Sequence, residues 1–181
     1  MSNPAVAAFA RDARLLEIAG LAVGMNPVPF RATLFEKTAQ ANWLIAWHQD
    51  TALPLVESFE APGWGPWSQK DGFVYSHAPA WALERVIALR IHLDESATDN
   101  GPLRVVPNSH RDGVLSDAEI QQRLGSNVQI ECLSQRGGVI TMRPLLIHAS
   151  SRALSDAPRR VLHIEYTDNL QLAAGIRLAI A

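Results

Sequence analysis

Apolar residues in this 181-residue chain fall mostly at every second position, in short runs broken by turn-forming residues. Two stretches depart from that rhythm. From Pro4 to about Leu21, the residues Ala5, Phe9, Leu15, Leu16 and Ile18 sit among charges as on one helical face. Ser2 or Asn3 can cap that helix, and Gly24, Asn26 and Pro27 end it. Ser116 predicts the start of a second, short helix through SDAEIQQRLG, with Glu119 at the capping-box position and Gly125 as its stop.

The rest reads as strands and loops. Thr33, Leu34 and Phe35 predict a strand over Arg31 to Glu36, closed by Lys37. Asn42 to Trp47 leads into His48, with Leu44 and Ala46 on the face of His48 and Trp43, Ile45 and Trp47 on the other. Pro54 to Gly72 carries six prolines or glycines along with Trp64 and Trp67 and reads as one long loop, the kind that forms a lid or a binding wall. Trp81 to Glu84 is a helical turn or a strand lead-in. Arg85 to Leu93, Pro102 to Pro107, Asn127 to Leu133, Val139 to Met142 and Arg159 to Tyr166 follow as strands. Turns fill Asp94 to Gly101 and Asn108 to Gly113, and Leu170 to Ala181 is a weakly patterned terminal strand or edge segment.

Short strands at this spacing, with helices only near the start and after Ser116, predict an all-β sandwich or barrel with peripheral helices. The length fits one domain over residues 1–181, with the helix at about 4–21 and the β core at about 31–181. A net charge of −2 and a pI near 6.3 give no positive field for nucleic acid, and no Lys/Arg run marks a membrane-surface patch. Small-molecule partners are expected instead. Cys132 is the only cysteine, which rules out an intrachain disulfide and a thiolate metal cage and suits a reducing compartment. Arg11, Asp12, Arg14 and Glu17 interrupt the first apolar stretch, so neither a secretory signal nor a membrane span is expected, and a cytoplasmic location is.

The chemistry concentrates in Trp47-His48-Gln49-Asp50. On a strand, His48 and Asp50 share one face and aim an imidazole and a carboxylate at one point. His148, a hundred residues on, completes a set of two histidines and one carboxylate, which binds one side of a non-haem Fe(II) and leaves the other open. Arg159, eleven residues after His148, opens the next strand, where a guanidinium can clamp a carboxylate beside the metal. Alternation alone leaves Arg160 as a competitor, because that choice buries the more apolar face.

In order, WHQD, NGPLRVVPNSH, LLIHAS and PRRVLHIEY resemble the phytanoyl-CoA dioxygenase family of Fe(II)- and 2-oxoglutarate-dependent oxygenases, over about Leu34 to Tyr166. The resemblance implies a double-stranded β-helix, the cupin-like jelly roll, with Fe(II) held by His48, Asp50 and His148. It implies 2-oxoglutarate as cosubstrate, chelating the metal through its oxo acid and held at its far carboxylate by Arg159 with help from Ser150. Gln49 matches the family's common middle residue and is placed with the cofactor-binding group. Asn100 and Gly101 match a supporting turn. The implied reaction hydroxylates a small molecule with O₂ and releases succinate and CO₂. Only 47 residues precede His48, fewer than is common in the family, so the substrate class stays open.

Trp64, Trp67 and Trp81 are candidates for the apolar wall of a substrate pocket, against the plainer reading of satellite core under a loop. Lys37 is a candidate for a substrate or cosubstrate carboxylate, against the plainer reading of an exposed strand-end lysine. His77, His92, His110 and His163 lack partners at ligand spacing, and Cys132 reads as a small core residue. Two alternatives remain: a cupin-like metal enzyme that does not use 2-oxoglutarate, and a non-catalytic binding module on the same fold.

Overall fold

A computed structural model describes residues 1–181. In chain order the elements are α1 (Pro4–Phe9), α2 (Ala13–Val23), β1 (Val28–Lys37), β2 (Ile45–His48), β3 (Ala52–Leu55), β4 (Trp67–Lys70), β5 (Phe73–His77), α3 (Ala80–Leu83), β6 (Val86–His92) and β7 (Leu103–Val105). They continue with α4 (Asp117–Ser126), β8 (Ile130–Cys132), β9 (Val139–Met142), β10 (His148–Ser150), β11 (Arg159–Thr167), β12 (Gln171–Ala173) and β13 (Ile176–Arg177). The length that suggested one domain is organised as two compact units interleaved along the sequence: 1–32, 51–89 and 164–181 form one, and 33–50 and 90–163 the other.

The first unit holds the N-terminal helices. The helix expected as one piece is two, because Asp12 leaves helical geometry at ψ 133° and caps α2, its Oδ1 accepting from the Arg14 backbone N–H at 3.0 Å. Asn3 caps α1 in the same way, accepting from Ala5 and Val6. Part of the expected long loop is sheet. β3 and β4 flank β5 antiparallel, with Leu53 opposite Ser76 and Trp67 opposite the same serine. The core of this unit is built on Phe30, Leu53, Leu55, Leu83, Tyr166 and Leu178, all essentially inaccessible. The Tyr166 hydroxyl donates to the Ala10 carbonyl at 3.0 Å, which satisfies the one polar atom that its burial strands.

The second unit contains a complete four-stranded sheet of order β2-β10-β7-β8, all of its pairs antiparallel. β1, β11, β6 and β9 form the other four-stranded sheet in that order. β11 is buried on both faces apart from Arg160, and β6 throughout, so each reads as a central strand rather than a half-exposed one. α4 begins at a capping box in which Ser116 and Glu119 bond reciprocally, and it runs through Gly125 to Ser126 instead of stopping there. It packs Ile120 against Val106 and Ile147, with Trp47 alongside, and so braces the strand that carries His48. No helix is long and apolar enough to cross a membrane.

Candidate metal centre

β2 and β10 bring the two motif histidines together, His148 directly opposite His48. Each ring is fixed by its own strand: Nδ1 of His48 donates to the Ala46 carbonyl and Nδ1 of His148 to the Leu146 carbonyl, both at 2.8 Å. A carbonyl can only accept, so Nδ1 carries a proton in each ring, and in the neutral ring Nε2 has the free lone pair. The two Nε2 atoms face opposite oxygens of Asp50, each at 3.6 Å. All three donor atoms lie within 4.8 Å of one another. Asp50 follows β2 rather than lying in it, held by its backbone N–H donating to Pro144 at 2.9 Å.

The electrostatics suit a cation at this point. Burial alone would raise the Asp50 carboxyl, but the contact with His48 and the nearby His148 and His163 hold it well below the usual carboxylate range. Burial lowers His148, so its imidazole is neutral and able to ligate; His48 is pulled up by Asp50, a proton a divalent ion would displace. Two imidazole nitrogens and a carboxylate with preset tautomers fit a first-row divalent metal such as Fe(II) better than Mg²⁺ or Ca²⁺, which favour all-oxygen sites.

The wall of the pocket differs from strand alternation. The register slips between His148↔His48 and Ser150↔Ile45, one residue more on β2 than on β10. With this bulge Ile45 and the partly exposed Trp43 line the cavity beside His48, and the expected facemates Leu44 and Ala46 do not. A cavity of about 130 Å³ results, with Phe35, Trp43, Ile45 and Leu103 as its apolar lining and His48, Asp50 and His148 on its polar side.

Arg159 also lines this cavity and is 3% exposed. Its Nε donates to the Asn100 carbonyl at 3.3 Å and its Nη2 to Ser150 Oγ at 3.1 Å, while Nη1 is buried with no partner. Arg160 is on the outside, paired with Asp94 through two bonds of 2.7 and 2.8 Å. Lys37, expected to be exposed, is 1% exposed. Its ammonium donates to Ser150 Oγ at 2.7 Å and to the Ser151 carbonyl, because β1 ends against the start of the loop after β10. Burial first, and then Arg159, lower its pKa to about 8. Ser150 donates in turn to the Gly101 carbonyl at 2.9 Å. Two buried cations therefore share one hydroxyl, and neither is in an ion pair.

Gln49 is placed differently from the cofactor-binding role expected of it. Its amide is fully used on backbone, donating to Gly113 at 2.9 Å and Leu145 at 2.7 Å and accepting from Leu115 at 2.8 Å, so it braces the loops behind the motif. Trp64, Trp67 and Trp81 belong to the first unit, where Phe59 stacks edge-on to Trp64 and Trp67, and Trp64 to Trp81; the cavity lining does not include them. Phe35, Trp43 and Arg90 line it without having been singled out. For Arg90 a signal existed: a lone cation inside the otherwise apolar run VIALRI.

A family model described as Phytanoyl-CoA dioxygenase (PhyH) matches residues 3–161. L-proline trans-4-hydroxylase from Streptomyces griseoviridis is 26% identical, over 62% of this chain and 51% of its own length, so the chain spans about half of that curated relative. Among solved structures, EctD from S. alaskensis with bound Fe aligns with a TM-score of 0.67 at 24% identity, over 97% of this chain and 55% of that one. AviO1 from Streptomyces viridochromogenes Tue57 aligns with a TM-score of 0.63 at 23% identity, over 89% and 60%. The fold is the jelly roll.

Proposed function

The chain belongs to the phytanoyl-CoA dioxygenase family, and from that premise we propose that it is an Fe(II)- and 2-oxoglutarate-dependent dioxygenase that hydroxylates a small molecule. The observation that carries this is the convergence of His48 Nε2, His148 Nε2 and the Asp50 carboxylate, with both imidazoles set by backbone carbonyls to present a lone pair. Iron and 2-oxoglutarate, when bound, supply the oxidation, in which one atom of O₂ enters the substrate as hydroxyl and the other enters succinate as CO₂ leaves.

The chain's own residues do the holding. His48, Asp50 and His148 take one side of the metal and leave the rest to cosubstrate and O₂. Arg159, with a free buried donor and no counter-ion, receives the far carboxylate of 2-oxoglutarate, and Ser150 fixes the guanidinium's orientation. Lys37 adds charge behind Ser150. Phe35, Trp43 and Ile45 keep the space beside the metal apolar, which excludes water. A cytoplasmic setting suits ferrous iron and the free Cys132.

The test is succinate release from 2-oxoglutarate by protein loaded with Fe(II), with and without a panel of small-molecule substrates. Iron-dependent succinate is expected, and it disappears in His48→Ala, Asp50→Ala and His148→Ala. Tight iron binding without any succinate would favour a cupin-like metal enzyme of other chemistry; no iron binding at all would leave a binding module.

A further inference from the structure

One more cation lines the cavity. Arg90, on β6, is 6% exposed, and its Nε is buried without a partner. Its Nη1 lies 3.2 Å from His163 Nδ1, and its guanidinium stands over the Phe35 ring at 5.2 Å. None of the neighbours offers it a free negative charge. His163 and His92 carry none in any protonation state. The Cys132 thiol is pushed up by burial and stays neutral. Asp50 is the one carboxylate that lines the cavity, and the metal claims it. Burial and then Arg159 lower Arg90 to about 10, still charged at neutral pH.

Its place along the cavity differs from that of Arg159. Arg90 contacts His163, which lies on β11 on the same face as Arg159 and two alternations further along the strand, so the two guanidiniums are held at different points of the cavity. Arg159 instead is tied to Asn100 and Ser150. The cavity that the triad lines thus has two under-satisfied guanidiniums, that of Arg159 at Ser150 and that of Arg90 apart from it.

Resting on the reading of an oxo-acid cosubstrate, we propose that Arg90 binds the oxo-acid carboxylate of 2-oxoglutarate, so that the dianion is held by an arginine at each end. The Nε donor is satisfied only in the loaded state. A guanidinium fork would also orient that carboxylate, a positioning role that a lone lysine would not fill.

The experiment is anaerobic titration of the Fe(II)-loaded protein, by calorimetry and by the visible charge-transfer band, with 2-oxoglutarate and with 2-oxobutyrate, which keeps the oxo-acid end and lacks the far carboxylate. Arg159→Ala weakens binding of 2-oxoglutarate alone. Arg90→Gln weakens both oxo acids by a similar factor, about tenfold or more. Fe(II) affinity without oxo acid is unchanged or tighter in Arg90→Gln, since a positive charge near Asp50 has gone. The proposal is overturned if Arg90→Gln binds 2-oxobutyrate as the parent does, if it weakens only 2-oxoglutarate, or if it loses iron along with the oxo acids, which marks a structural role. Should Arg90→Gln fail to fold, Arg90→Lys carries the test: it keeps the charge and loses the fork, so 2-oxobutyrate binding falls about threefold or more, and parental affinity overturns the assignment. A parent protein that binds Fe(II) but neither oxo acid contradicts the cosubstrate reading itself, not the role of Arg90 within it.

Discussion

Gly101 is where backbone, cation cradle and cavity meet, and replacing it by alanine has a calculable effect. Its φ of +70° is in the left-handed region, where an L side chain costs about 1–2 kcal/mol. A Cβ there would stand 2.4 Å from the Ser151 carbonyl oxygen, 3.0 Å from Lys37 Nζ and 3.4 Å from the Ala153 nitrogen. The first of these is backbone and must move by about 1 Å to reach ordinary contact, an overpacking cost of about 1–3 kcal/mol. Together, Gly101→Ala costs about 2–5 kcal/mol, which for a chain of this size lowers Tm by about 4–20 °C. Gly113→Ala and Gly137→Ala are the controls: φ is +75° and +85°, but nothing lies within 4 Å of the added carbon, so only the conformational part remains. Thermal unfolding followed by circular dichroism reads all three. Because the Ser151 carbonyl and Lys37 move together, Gly101→Ala also weakens 2-oxoglutarate binding, and the controls do not. A Gly101→Ala protein that melts with its controls and binds 2-oxoglutarate normally would refute the reasoning.

Three further outcomes are expected. Arg159→Ala raises the KM for 2-oxoglutarate by about 30-fold or more, the cost of leaving a buried carboxylate unpaired, whereas Arg160→Ala, which loses only the exposed pair with Asp94, leaves that KM unchanged in steady-state succinate assays. His92 has both ring nitrogens buried and unpartnered, and burial, then Arg90 and Arg159, lower it to about 4. The unfolded chain therefore binds the extra proton between about pH 6.5 and 4, and stability falls as pH drops through that window; His92→Leu removes this loss and stabilises by about 1 kcal/mol or more in urea unfolding. Lys37, at about 8 against its ordinary 10.5, gives the opposite window: the unfolded state holds the proton between about pH 8 and 10.5, so stability rises with pH there. Lys37→Met lacks that rise, and parallel urea titrations at pH 7.5 and 10 measure the difference.

The convergence of the three proposed ligands was legible because each is set locally: the HQD strand end, the histidine after Leu145-Leu146-Ile147, and backbone carbonyls two residues before each imidazole. The choice between Arg159 and Arg160 was not, since β11 is buried on both faces apart from Arg160 and alternation carries no sign there; Arg160 is outside, paired with Asp94 just past the end of neighbouring β6. Lys37 misled for a related reason. A strand-end lysine is usually solvated, and this one is buried by Ser150 and Ser151, more than a hundred residues away. The facemates of His48 were misassigned by a single bulged residue in β2, which no period-two pattern reveals. Around Pro54 the turn-forming residues hid β3 and β4, because a proline is tolerated in a short strand where its missing N–H is not needed.

The central claim is that one iron and one 2-oxoglutarate share the cavity of the second unit. A crystal grown without oxygen in the presence of Fe(II) and 2-oxoglutarate measures this directly. The expected density is one iron on Nε2 of His48, Nε2 of His148 and the Asp50 carboxylate, with the far carboxylate of 2-oxoglutarate on Arg159. Iron ligated elsewhere, or 2-oxoglutarate absent from a cavity whose iron is in place, would contradict it.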